Sequence, residues 1–87
     1  MISKENYELA RPFLIYQSKE RGLEFRDSRN DWDTFIGWKK RGRSILYGSE
    51  GFRVDMVVPF LIDKIKKNKR VGFVTRNKIL FNRKQTF

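Results

Sequence analysis

The stretch Ser44-Ile45-Leu46-Tyr47-Gly48-Ser49-Glu50-Gly51-Phe52-Arg53-Val54-Asp55-Met56-Val57-Val58 decides the fold. From Phe52 onward every second residue is apolar: Phe52, Val54, Met56 and Val58 fall on one side, Arg53 and Asp55 on the other. A period of two marks a strand with one buried face. Ser44 to Tyr47 reads as a shorter strand, and Gly48 to Gly51 as a hairpin-type turn between the two. Pro59 is expected to end the second strand, because proline cannot donate to a ladder.

On the C-terminal side, Phe60 to Arg70 reads as one helical turn running into a basic loop. Val71 to Thr75 and Lys78 to Phe81 are strand-like; Arg76-Asn77 is either a turn between them or part of one longer strand. On the N-terminal side, residues 3–21 read as helical, with Leu9, Phe13 and Tyr16 spaced for one face. Pro12 either kinks this helix or starts a second one, and Gly22 is a natural stop. Residues 24–31 are polar and turn-like. They lead to a short helix from about Asp33 to Arg41, closed by Gly42, from which Trp32, Phe35 and Ile36 are expected to face the core, with Trp38 a further candidate. Gly37 is a poor helix former at its centre. The expectation is an α+β fold: N-terminal helices followed by a small, mostly antiparallel β-sheet. No repeat or Gly/Ser linker divides the 87 residues, so a single domain is expected over 1–87.

Composition narrows the function classes. The 39% hydrophobic and 15% aromatic content suits a folded domain rather than a disordered tail. With no Cys there is no disulfide or thiolate metal site, which fits a reducing cytoplasm. With no His, the commonest general base and the usual zinc ligand are both missing. Asp27, Asp31 and Asp33 loosely follow the opening of a calcium loop, but Trp32 stands where such a loop needs Gly, and no closing Glu follows. The turn Gly48 to Gly51 lacks the Gly-Lys-Ser/Thr ending of a phosphate-binding loop. A non-enzymatic protein without cofactor or metal is expected. The N-terminus starts no signal-peptide h-region, and the longest apolar runs are too short to span a bilayer, so no membrane partner is expected.

The formal charge is +10, and residues 38–87 alone carry a net of +11 while residues 1–37 carry −1. Clustered positive charge attracts polyanions, of which nucleic acid is the usual intracellular one; evenly spread charge would serve solubility equally well. Lys39, Lys40, Arg41 and Arg43 surround Trp38 and Gly42, a pattern suited to phosphate contacts with a base stacked on the indole. The other reading makes Trp38 a core residue and the cations a helix end complementing the dipole; the core reading is favoured for Trp38 itself, and phosphate binding for the cations. Tyr47, Phe52 and Arg53 flank the turn; Phe52 shares its face with core residues, which leaves Tyr47 as the stacking candidate and Arg53 as a cation beside it. Lys64, Lys66, Lys67, Lys69 and Arg70 form a basic run of the kind that contacts phosphates without reading sequence, and Arg83 and Lys84 repeat the theme.

Two blocks carry a resemblance. Phe35 to Ile45, continued by Tyr47 to Val54 and ending at Val58-Pro59, and then Leu80-Phe81-Asn82-Arg83-Lys84-Gln85-Thr86, resemble the N-terminal domain of ArdC-type antirestriction proteins. The family's lysines around Gly-Glu are Tyr47 and Ser49 here, and its Asp after Phe is Asn82. The resemblance implies a stand-alone single-stranded DNA-binding module from a phage or other mobile element, with an antirestriction role. The metallopeptidase-like domain that commonly follows in that family carries a His-based site, for which this chain has no residues.

The leading expectation is therefore a sequence-tolerant single-stranded nucleic-acid binder. Its contacts would come from Lys39, Lys40, Arg41, Arg43, Arg53 and the run from Lys64 to Arg70, with stacking on Tyr47 and Trp38. A second expectation, of a different class, is a small basic inhibitor of a host defence nuclease or RNA-guided nucleoprotein complex, acting through protein contacts. A third is a basic structural subunit of a phage or conjugation assembly.

Overall fold

The computed structural model describes the backbone of residues 2–61 and 71–87, with side chains throughout except at 59–61 and 71. The fold is α+β, as expected: an N-terminal helix followed by a small antiparallel sheet. Helix α1 spans Lys4–Glu20 and the short α2 spans Phe35–Lys40. The strands are β1 (Trp32–Asp33), β2 (Phe52–Leu61) and β3 (Val71–Asn82), in the order β1-β3-β2.

Both helices are closed by their own sequence. The Ser3 hydroxyl accepts from the Asn6 amide (3.2 Å) and starts α1; the Thr34 hydroxyl accepts from the Gly37 amide (3.0 Å) and starts α2. Gly22 and Gly42, at φ +65° and +78°, stop them in the left-handed conformation that only glycine adopts cheaply. In each case the next residue reaches back to the final turn, Leu23 to the Ser18 carbonyl (2.8 Å) and Arg43 to the Trp38 carbonyl (2.9 Å). Pro12 neither breaks α1 nor starts a second helix, and lies exposed inside it.

The core lies between α1 and one face of the sheet. Phe52, Val54 and Met56 are buried, as their period of two predicts, and Leu80 joins them from β3. Helix α1 contributes Ala10 and Leu14, while Leu9, Phe13 and Tyr16 turn outward to solvent. The periodic apolar stripe on α1 is therefore its exposed face, because packing against a narrow sheet selects the small Ala10. Trp32 is buried, but from β1 rather than from a helix, and Phe35 and Ile36 are exposed. Phe25, Trp32 and Phe52 meet edge to face with ring centroids 5.1–5.7 Å apart. The Arg21 guanidinium covers Phe52 at 4.0 Å.

Helix α1 also closes one edge of the sheet. The Gln17 side chain donates to the Arg53 carbonyl (2.7 Å) and accepts from its amide (3.1 Å). The Asn6 side chain does the same at Val57, at 3.0 and 2.8 Å. Two side-chain amides thus replace the peptide groups of a neighbouring strand.

Two expectations for the strands need correction, and one alternative is settled. Ser44 to Tyr47 is not a strand paired with β2 through a hairpin turn. Instead Ser44 exchanges backbone bonds with Phe87 (3.0 and 2.9 Å), Leu46 donates to the Gln85 carbonyl (2.8 Å), and Ile45 makes an isolated bridge with Thr86. The hairpin partner of β2 is β3, in a ten-pair ladder from Phe52↔Leu80 to Leu61↔Val71. Pro59 does not end β2: its alternation with Arg53 and Val57 places its missing N–H on the edge facing away from β3, where the ladder needs no donor. Arg76 and Asn77 lie within one continuous strand, the longer of the two alternatives.

Candidate nucleic-acid interface

The end of the sheet where β3 meets α2 and the C-terminal turn carries Lys39, Lys40, Arg41, Arg43, Arg83 and Lys84 of the cations that the sequence singles out. Trp38 sits beneath them, 0% exposed, with its indole N–H donating to the Phe81 carbonyl at 2.8 Å. A base cannot stack on a ring that is fully covered, so the stacking role expected of Trp38 is excluded by its packing. Arg41 closes the outer side: its guanidinium lies 4.1 Å over the indole, donates to the Asn30 carbonyl (2.7 Å) and reaches the Asp33 carboxylate (3.4 Å). Arg43 is half-buried and donates to the Thr86 hydroxyl at 2.6 Å. Both arginines are therefore tied into the fold.

Lys39 and Lys40 point to solvent from the last turn of α2, Lys39 with its ammonium 5.3 Å from the exposed Phe35 ring. Tyr47 is fully exposed at the turn after the strip that pairs with the C-terminus. That pairing brings the Tyr47 loop beside the helical turn Arg83–Gln85, whose Arg83 and Lys84 are exposed. The turn is held by a reciprocal cap: the Asn82 side chain accepts from the Lys84 amide (3.0 Å) and the Gln85 side chain from the Asn82 amide (2.9 Å). Arg53 lies on β2, on the sheet face opposite the core, level with Ile79. Lys64, Lys66, Lys67, Lys69 and Arg70 lie outside the described residues.

Among the described residues four arginines are held in ion pairs. Arg11 pairs with Asp27 (2.7 Å), Arg21 with Glu50 (3.6 Å), Arg26 with Asp31 (2.9 Å) and Arg41 with Asp33 (3.4 Å). Lys39, Lys40, Arg53, Arg83 and Lys84 make no ion pair among the described residues. Neither do Arg76 and Lys78, two cations that the sequence motifs did not single out. The three aspartates with a loose calcium-loop spacing are each held by an arginine, and among the described residues no group of three or more carboxylates gathers as a cation site. No described helix is long and apolar enough to cross a membrane. The Tyr7 hydroxyl donates to Asp27; burial, then this bond and the carboxylate's charge, push the phenol above its ordinary pKa, and the same bond holds Asp27 below its own.

Residues 35–58 and 80–86 interlock in space: Phe52 pairs with Leu80, Trp38 bonds Phe81, Arg43 bonds Thr86, and the Gln85 side chain donates to the Glu50 carbonyl (2.8 Å). No family model, curated protein or solved structure matches the chain.

Proposed function

We propose that the chain is a sequence-tolerant single-stranded nucleic-acid binding module, with DNA the favoured ligand, that serves an antirestriction or anti-defence role in a phage or mobile element and is not itself an enzyme. The observation that carries this reading is the segregation of charge. Residues 38–87 carry a net of +11 against −1 for residues 1–37, and Lys39, Lys40, Arg53, Arg76, Lys78, Arg83 and Lys84 are exposed on α2, β2, β3 and the C-terminal turn without an ion pair among the described residues. Lys39, Lys40, Arg83 and Lys84 would contact phosphates, and the exposed Tyr47 ring would stack on a base. Arg53 and the sequence run from Lys64 to Arg70 add further phosphate contacts. The ArdC resemblance points the same way.

Fluorescence anisotropy with labelled single-stranded DNA, single-stranded RNA and duplex across a salt series tests it. Tight binding to single strands that falls steeply with salt, and that a Lys39→Ala/Lys40→Ala/Lys84→Ala variant weakens, is the expected result. Weak binding, equal for all three polymers and unchanged in the variant, would overturn it.

A further inference from the structure

Strand β3 has two edges, and α1 reveals which backbone groups each one carries. Gln17 and Asn6 engage the N–H and C=O of Arg53 and Val57, so residues 53, 55 and 57 turn those groups away from β3. Their partners across the ladder, Ile79, Asn77 and Thr75, must likewise turn theirs away from β2, and Phe73 follows by alternation. On that outer edge β1 takes up Phe81 through Asp33, and then the chain leaves at Thr34 to form α2. From Ile79 back to Phe73, about 20 Å of strand, the outward N–H and C=O groups meet no partner among the described residues. The side chains of Phe73, Thr75, Asn77 and Ile79 are exposed on one face, and those of Arg76 and Lys78 on the other, since α1 covers only the β2 side of the sheet.

We propose that this edge of β3 docks an extended, acidic protein segment, which adds as an antiparallel strand continuing the line of β1. The edge offers as many acceptors as donors, in alternation. Another peptide satisfies both, whereas a phosphate backbone, which only accepts, would leave the carbonyls unpaired. Side chains then set the partner's pattern. Glu or Asp faces Arg76 and Lys78 on one side of the added strand, and apolar residues face Phe73 and Ile79 on the other. A second copy of the chain fits poorly, because edge-to-edge pairing brings Arg76 and Lys78 of one copy beside those of the other, between molecules that each carry +10.

The test titrates the full chain, labelled with nitrogen-15, with a synthetic peptide of alternating Glu and Val about nine residues long, matched to the open stretch of strand. The expected result is slowed amide exchange at Phe73, Thr75, Asn77 and Ile79, with little change at Val74, Arg76 and Lys78, whose amides already bond to β2. Methylating alternate backbone nitrogens of the peptide abolishes the effect. Thr75→Pro, which removes one outward N–H and leaves the β2 ladder intact, weakens binding roughly tenfold. Arg76→Glu/Lys78→Glu weakens it further. Single-stranded DNA affinity is unchanged in Thr75→Pro, and peptide affinity is unchanged in Lys39→Ala/Lys40→Ala, so the edge and the nucleic-acid reading fail separately. The proposal is overturned if the peptide does not bind, if the methylated peptide binds equally, if protection does not alternate, or if light scattering shows the chain dimerising through this edge without peptide. The wild-type exchange pattern decides the matter if Thr75→Pro does not fold.

Discussion

Gly37 shows how one contact can reverse a propensity rule. In an ordinary helix Gly→Ala stabilises by about 1 kcal/mol. Here a Cβ at position 37 would overlap the buried Asp33 carboxylate, which packs against the first turn of α2 and accepts from the Thr34 amide at 2.8 Å. Gly37→Ala is therefore expected to destabilise the chain by about 2 kcal/mol, read as a lower urea midpoint with unchanged slope. Tyr7 gives a second test at this scale. Its phenol is raised above the ordinary value, so above about pH 10 the unfolded chain releases a proton that the folded chain retains. The bond's stabilisation is present below that pH and is lost as pH rises through the folded pKa. Tyr7→Phe should flatten this alkaline loss relative to wild type in a series of denaturation curves. The two tryptophans supply a third. Trp32 and Trp38 are 2% and 0% exposed, so saturating single-stranded DNA should leave tryptophan emission unquenched while Tyr47→Ala weakens binding.

At the scale of elements, the amide clamps on β2 have the largest consequence. Asn6→Ala or Gln17→Ala should each cost about 1–2 kcal/mol, since each strands a backbone donor and acceptor. The double variant should also associate with rising concentration in light scattering, because it bares the β2 edge. What the sequence made legible follows from periodicity. Phe52, Val54 and Met56 announced a half-buried strand, and Gly22 and Gly42 announced the helix ends, because these signals are local. The pairing partner of β2 was not legible: the Gly48 turn looks like a hairpin, whereas the strip before it joins the C-terminus forty residues away in the chain, a choice made by long-range packing. Leu9, Phe13 and Tyr16 carry a helical period as strong as that of Ala10 and Leu14, and only the neighbouring sheet decides which stripe is covered. For the candidate site, Lys39, Lys40 and Tyr47 were legible and are exposed. The core position favoured for Trp38 is what the structure shows, since a small core gains most from an indole. The inward ties of Arg41 and Arg43 were not legible, because they depend on Asn30, Asp33 and Thr86 being brought alongside by the fold.

For the whole molecule, charge segregation predicts a salt response. For single strands the logarithm of affinity should fall against the logarithm of salt with a slope near 0.7 per phosphate contact, and each of Lys39, Lys40 and Lys84 replaced by Ala should flatten it by about that amount. The helix that seals β2 has a further result for stoichiometry. A sheet with two bare edges can grow at both ends and so seed a fibre. Here the clamps at Arg53 and Val57 occupy β2, so among the described residues a strand can join only at β3: each molecule offers its own sheet to one partner at a time.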